Sequence, residues 1–76
     1  MKYFEKYGGG YALMETKYTR LDITVKWVRF YNGSFYDYAV AIFDNKNKIT
    51  FERDYKTFRG ARDYFIKLNN ELIERV

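Results

Sequence analysis

ITVKWVRFYNGSFYDYAVAIFDNKNKITF, residues 23–51, carries the strongest structural signal in this chain. Apolar residues alternate with small or polar ones through three runs, which are separated by turn-forming residues at positions 32–33 and 44–47. A period of two is typical of strands that bury one face. Asn32-Gly33 is the dipeptide preferred for a two-residue type I′ turn, because both positions need a positive φ. The segment therefore predicts three antiparallel strands joined by two hairpins.

The two turns also predict a strand register. A two-residue loop at the Asn-Gly dipeptide sets Trp27 opposite Tyr38, and a loop in the middle of the second turn sets Ile42 opposite Ile49. Both registers place the large apolar residues on the same face of the sheet. This predicted core face contains Ile23, Val25, Trp27, Val40, Ile42, Ile49 and Phe51.

An earlier strand is predicted over residues 11–18, YALMETKY. A tight turn at Thr19-Arg20 would set Met14 opposite Val25, with Thr16 facing inward. Residues 1–10 are predicted to be a flexible N-terminal arm with a glycine hinge at residues 8–10, since three glycines are costly to order. The aromatic residues that flank the hinge form either an extra edge strand or a mobile arm that closes on a partner.

A helix is predicted from about Phe58 to Arg75, with Thr57 as its N-cap. Apolar residues recur at spacings of three and four, which is one helical stripe. The stripe consists of Phe58, Ala61, Phe65, Leu68 and Leu72. Gly60 in the first turn costs about 1 kcal/mol relative to alanine, so either another group approaches closely there or the glycine is simply tolerated. Residues 11–76 are thus predicted to form one α+β domain, a four-stranded antiparallel meander with a C-terminal helix on one face.

The composition argues for binding and against catalysis. The chain has 9 Tyr, 7 Phe and 1 Trp but no His, Cys or Pro, and its formal net charge is +4. Aromatic rings provide contact area at low entropic cost, whereas His and Cys are the commonest general base, thiol nucleophile and zinc ligands. We therefore expect a protein that is not an enzyme and binds no cofactor. With no apolar run of about 18 residues and no secretory signal, the expected location is the cytoplasm of a bacterial host.

One carboxylate pair is a possible metal site. Glu52 and Asp54 lie two residues apart on a predicted strand and so share a face. Two carboxylates can hold a divalent cation, but the sequence suggests no third ligand nearby. Both side chains are therefore interpreted as solvated charges, and no metal is predicted.

Four cations gather around the predicted start of the helix. Arg53, Lys56, Arg59 and Arg62 fall within ten residues, with Asp54 as the opposing charge. Because a helix N-terminus already favours anions, this cluster predicts a phosphate or partner-binding site. The alternative interpretation is that these residues only keep a small surface soluble.

The sheet face away from the helix is the second candidate surface, and it is predicted to be open. Lys26, Phe30 and Phe35 are its candidate contact residues, around a flat centre of small residues. Such a face suits base stacking with phosphate contact, a protein partner, or a second subunit that forms a homodimer. Arg29 and Tyr36, on the other face, are predicted to form a cation–aromatic packing pair.

The predicted order of four antiparallel strands and a helix, over about residues 11–75, resembles the repeat unit of the PUR and Whirly single-stranded nucleic-acid-binding folds. That resemblance implies that the sheet contacts nucleic acid and that subunits or repeats pair. It is one of topology, so no functional residue is carried over. The small size, the absence of cysteine and the use of Lys, Asn, Tyr, Phe and Ile also resemble phage proteins that inhibit host defence, anti-CRISPR proteins among them.

The expected function is therefore that of a small non-enzymatic binding protein. It is predicted to be a phage-type or mobile-element-type inhibitor or adaptor that docks on a bacterial protein or nucleoprotein complex. The alternative is a direct nucleic-acid-binding module that uses the basic helix N-terminus and the open sheet face. The modest positive charge, which nearby acidic residues dilute, favours the first.

Overall fold

A computed structural model describes residues 11–31 and 36–75 of the chain. The arm and hinge predicted for residues 1–10, and the candidate residue Phe35, lie outside the described residues. Within these two ranges, the strands form one antiparallel sheet in the order β1-β2-β3-β4, and a single helix follows them. The elements are β1 (Tyr11–Tyr18), β2 (Ile23–Tyr31), β3 (Tyr36–Phe43), β4 (Ile49–Tyr55) and α1 (Phe58–Arg75). The predicted α+β meander with one C-terminal helix is confirmed.

The register of the central hairpin differs from the prediction by two residues. Trp27 pairs with Val40, and Tyr31 pairs with Tyr36, so the two-residue Asn-Gly turn predicted from the sequence is wrong. Side chains alternate with a period of two, so an even shift leaves every residue on its predicted face. The apolar pattern therefore specifies the face of each residue but cannot distinguish these two registers.

The hairpin between β3 and β4 shows the same shift, with a local cause. Asp44 Oδ1 accepts hydrogen bonds from the backbone N–H groups of Lys46 and Lys48, both at 2.9 Å. Asn47 closes the turn with a φ of 61°, a left-handed conformation that asparagine tolerates. This longer loop pairs Ile42 with Phe51 instead of Ile49, and the register then changes between Ile42 and Phe43. A turn with one left-handed residue has replaced the predicted two-residue loop.

The hairpin between β1 and β2 is also shifted by two residues from its predicted register. Met14 pairs with Trp27 instead of Val25, and Thr16 pairs with Val25. In the turn, Leu21 N–H donates to the Tyr18 carbonyl at 3.1 Å, and Asp22 has a φ of 54°. The turn therefore extends to Asp22, because Thr19-Arg20 offers no residue suited to a positive φ.

Helix α1 packs on the predicted core face. The buried residues of this core come from β1, β2, β3 and the helix stripe. They are Tyr18, Val25, Trp27, Val40, Ala61, Phe65, Leu68 and Leu72. Three residues predicted for the core are instead exposed, Ile49 and Phe51 on the edge strand β4 and Phe58 at the helix start. The helix centre lies over β2 and β3, so it leaves the margins at Phe51 and Phe58 uncovered. Ile49 follows the register change and pairs with Phe43, which lies on the reverse face.

The reverse face of the sheet is not open. Phe30 is 3% exposed, and Val28, Ala39, Ala41 and Phe43 are also buried on this face. Glu52 is 4% exposed, so its interpretation as a solvated charge is wrong. Burial of apolar surface contributes about 25 cal/mol per Å², and a domain this small gains stability by removing the large side chains of both faces from water.

The helix start confirms the predicted N-cap and decides between the two alternatives for Gly60. Gly60 N–H donates to Thr57 Oγ1 at 3.1 Å, which makes Thr57 the N-cap. A Cβ placed on Gly60 would lie 3.1 Å from Tyr55 Cδ1, so a ring does approach this glycine closely. Within the described residues, no helix is long and apolar enough to cross a membrane.

A tyrosine ties the far end of the helix to the edge strand β1. The Tyr18 hydroxyl lies 3.2 Å from the main-chain carbonyl oxygen of Asn69, and it also contacts Asn69 Oδ1. Burial raises the pKa of Tyr18, so the hydroxyl keeps its proton and donates at neutral pH.

We expect Tyr18→Phe to lower the free energy of unfolding by about 1 kcal/mol, because a part-buried hydrogen bond is lost. Urea denaturation at neutral pH measures this. Tyr36→Phe is the matched control, since it removes a hydroxyl from an exposed side chain and should cost less than about 0.5 kcal/mol. Equal effects of the two substitutions would contradict the role assigned to the Asn69 contact.

The Asp44 carboxylate should make the β3–β4 turn sensitive to acid. Its hydrogen bond from the Lys48 N–H, followed by that from Lys46, holds the pKa of Asp44 below the usual 3.8. A lowered pKa contributes stability above the usual value, and that contribution is lost as the pH falls through the lower, folded-state value. Asp44→Asn should therefore lower the urea midpoint at neutral pH, and the difference from the unmodified chain should shrink in acid. A difference that does not vary with pH would contradict this.

Candidate binding surface

The four cations around the helix start do not form one site. Arg53 pairs with Val40 across the sheet, which places it on the helix side, whereas Lys56 lies on the reverse side with Nζ 3.5 Å from Asp37 Oδ1. Arg62 forms an ion pair at 3.3 Å with Asp63, its neighbour in the helix. The backbone donors of the predicted anion site are also partly used, because Gly60 and Ala61 N–H groups bond to Thr57. A single phosphate site built from all four residues is therefore not supported.

The candidate residues Lys26 and Phe30 lie on the predicted reverse face, but this face is not open as predicted. Lys26 is half-buried, and its Nζ lies 5.0 Å from the centre of the Phe43 ring. Phe30 is buried and so offers no stacking surface. These two side chains therefore pack within the chain and do not form an open contact surface.

A group of four aromatic rings, of which Tyr38 is half-buried and the others are exposed, lies on the helix side, beyond the point where α1 begins. We call Tyr31, Tyr36, Tyr38 and Phe58 the aromatic surface. Tyr31 and Tyr36 are 63% and 44% exposed, and their ring centres lie 5.4 Å apart. Phe58 is 49% exposed and lies 5.9 Å from Tyr38 in an edge-to-face arrangement. Because the helix starts only at Phe58, this end of the sheet keeps its rings accessible.

Residues below and beside the aromatic surface hold it in place. The Phe58 ring centre lies 4.9 Å from that of Trp27, which is buried in the core. The Arg29 guanidinium lies 4.3 Å from the centre of the Tyr36 ring, so the predicted cation–aromatic pair is confirmed. These contacts fix the rings on a rigid strand pair.

A second aromatic group continues this side towards β4. Arg53 is exposed, and its guanidinium lies 5.4 Å from the Tyr55 ring centre and 5.1 Å from that of Tyr64. Tyr64, on the helix, also packs against Phe51 at 6.2 Å. Burial raises the pKa of Tyr55 above its usual 10.0, so this phenol stays neutral at physiological pH. Arg53 thus presents a cation beside the aromatic surface.

The sheet separates its charges by face. On the helix side of β2, β3 and β4, the charged residues are Arg29 and Arg53, whereas Asp37, Glu52 and Asp54 alternate onto the reverse side. The first turn of α1 has no acidic residue and carries the exposed Arg59. The aromatic surface is therefore bordered by cations, with no carboxylate from these three strands among them.

Metal-ligating side chains do not cluster among the described residues. Among them, no group of three or more His, Cys, Asp or Glu side chains could hold a metal ion. A polar groove of about 300 Å³ lies at the other end of the sheet, between the β1–β2 and β3–β4 turns. Asp44, which lines it, already accepts two backbone hydrogen bonds.

The sequence alone does not identify the aromatic surface as a site. Phe58 belongs to the apolar stripe of the helix and is expected in the core, and Tyr36 is expected only to pack against Arg29. Tyr31 becomes the neighbour of Tyr36 only in the observed register. The one available signal is the excess of tyrosine around residues 31–38.

Comparisons with protein-family models, with curated proteins and with solved structures find no match to this chain.

We expect Tyr31→Ser combined with Tyr36→Ser to lower the free energy of unfolding by no more than about 2 kcal/mol, because a cross-strand aromatic pair contributes up to about 1 kcal/mol and the Arg29–Tyr36 contact about 0.5–1 kcal/mol more. Phe65→Ala, which empties a buried position, should cost about 3–5 kcal/mol. Urea denaturation compares the two. A loss of several kcal/mol in the tyrosine variant would mean that these exposed rings serve stability instead of binding.

Proposed function

We propose that this chain is a non-enzymatic binding protein that holds single-stranded nucleic acid on the aromatic surface. The observation that carries the proposal is the separation of charge, because the exposed rings share their side of the sheet with arginines while the acidic residues of these strands lie on the other side. Proteins that bind single strands combine such rings with cations that follow the phosphates.

The rings suit unpaired bases. Tyr31 and Tyr36 stand on neighbouring strands and Phe58 stands at the helix start, so bases could stack at separate points along one side of the sheet. Each base stacked on an aromatic side chain contributes about 1–3 kcal/mol. Bases in a duplex are already stacked on each other, so the arrangement favours a single strand.

The cations suit a phosphate backbone. Arg53 is exposed on β4 and Arg59 is exposed in the first turn of α1, and the Arg29 guanidinium lies against the face of the Tyr36 ring. A guanidinium on a ring face still presents N–H groups at its edge, which can donate to phosphate oxygens. Of the four cations predicted around the helix start, Arg53 and Arg59 therefore contact the phosphate backbone, and Lys56 and Arg62 are not required.

A protein or nucleoprotein target is the second candidate function. Tyrosine and arginine are the residues that dominate the centres of protein interfaces, and the net charge of +4 is modest for a dedicated nucleic-acid binder. The same surface would then serve an inhibitor or adaptor, of the phage or anti-CRISPR type, that docks on a bacterial complex.

Fluorescence anisotropy with labelled single-stranded DNA, single-stranded RNA and duplex DNA tests the proposal. We expect the single strands to bind more tightly than the duplex, and the affinity to fall with salt by a log–log slope of about 0.7 for each phosphate contacted. Tyr31→Ser with Tyr36→Ser should weaken binding by about tenfold or more. Arg53→Gln with Arg59→Gln should also reduce the salt dependence.

Lys46→Gln with Lys67→Gln is the matched control, since it removes the same charge from exposed positions, in the β3–β4 turn and on the helix, away from the aromatic surface. An equal loss of affinity in this control would indicate nonspecific attraction and would contradict the proposed site. If no nucleic acid binds, the protein target becomes the better candidate. A partner retained from bacterial extract by the unmodified chain and the lysine control, but lost by the tyrosine variant, would then support it.

A further inference from the structure

We propose that two copies of this chain associate through strand β1, pairing antiparallel across a two-fold axis at Thr16. The surface involved is the edge of the sheet farthest from β4, together with the side of helix α1 that faces β1. This edge is separate from the aromatic surface. A second copy fits it because the charges and apolar residues of the edge complement themselves.

β1 is one of the two edges of the described sheet. Glu15 and Lys17 are both exposed, and they pair with Lys26 and Thr24 of β2, which places them on the reverse side. An edge strand offers backbone donors and acceptors to another chain, so natural edges carry features that either block or direct such pairing.

The charge pattern of β1 directs self-pairing to a single register. With a two-fold axis at Thr16, Glu15 lies opposite Lys17 of the second copy, and Lys17 lies opposite Glu15 of the second copy. Opposite charges that face each other across a strand pair are stabilising, and like charges are destabilising. An axis at Glu15 would set two carboxylates opposite each other, and an axis at Lys17 would do the same with two ammonium groups. The register with its axis at Thr16 therefore gives two ion pairs, whereas the registers with axes at Glu15 and Lys17 give repulsion between like charges.

The other edge, β4, shows the reverse pattern. An axis at Arg53 would set two arginines opposite each other and Glu52 opposite Asp54 of the second copy. An axis at Glu52 or Asp54 would oppose identical carboxylates. Since like charges disfavour edge pairing, the charged centre of β4 resists the association that β1 favours.

Exposed apolar residues line the same edge on the helix side. Met14 is 51% exposed on β1, and Ile66 and Ile73 are 49% and 62% exposed on the helix. Asn69, between the two isoleucines, contacts Tyr18 of β1, so this side of the helix faces the β1 edge. In the two-fold pair, both helices lie on the same side of the joined sheet. The apolar residues of the two copies then meet over the seam, as an isologous interface requires.

Exchanging the charges of Glu15 and Lys17 tests whether two copies associate in this way. Sedimentation equilibrium of the full chain over a wide range of concentrations measures the association. We expect the unmodified chain to approach twice its mass of 9.3 kDa as the concentration rises. Glu15→Lys opposes lysines at both pairs and should weaken association by about tenfold or more. Glu15→Lys combined with Lys17→Glu restores both pairs in exchanged order and should recover association to within about threefold.

The double exchange also controls for folding, because it places the same positive charge opposite Lys26 within the chain as the single Glu15→Lys variant does. Ile73→Ser should weaken association as well, whereas Lys67→Glu, a charge change on another side of the helix, should not. A chain that stays monomeric at every concentration would overturn the inference. So would a Glu15→Lys variant that associates normally, or a folded double exchange that does not recover.

Discussion

Phe65 holds helix α1 on the sheet, and the other features of the molecule depend on that contact. Its ring is 2% exposed and lies 6.0 Å from that of Trp27, next to the buried Val25 and Val40. The helix runs from Phe58, capped by Thr57, to the far end of the sheet, where Asn69 meets Tyr18. This placement covers the centre of β2 and β3 and leaves three margins accessible. These margins are the aromatic surface, the outer part of β4 and the apolar side of the helix above β1.

The accessible margins differ in chemistry because alternation distributes charges between the faces. Arginine alternates onto the helix side of the sheet, and aspartate and glutamate alternate onto the reverse side. The aromatic surface therefore combines rings with cations, which suits an anionic partner with stacking groups. The β1 edge instead combines one acid, one base and exposed aliphatic residues, which suits a copy of itself. Two surfaces of one small domain can thus serve two separate contacts.

Local sequence patterns predicted every element of the described fold, but not how they meet. The helix bounds and the Thr57 cap were predicted because capping and helical spacing depend on nearby residues, whereas only the structure shows that the Tyr55 ring approaches Gly60. The hairpin registers were wrong by two residues in each case. Asp22 and Asn47 adopt a positive φ and end turns that are longer than the predicted two-residue loops. These longer turns shift the register of the strands that they join.

The candidate site shows the same division between local and tertiary information. The sequence determined the strands, the helix and the wealth of aromatic residues, since a period of two or of 3.6 is a local property. It also determined the face of the strand side chains, except at Ala12 and Ile49, which lie beyond irregularities in the register. Only the tertiary structure decided which tyrosines become neighbours, which cations share a side and that Phe30 is buried. A shift by two residues leaves every alternation pattern unchanged, and the exposure of a face depends on what packs against it from distant parts of the chain.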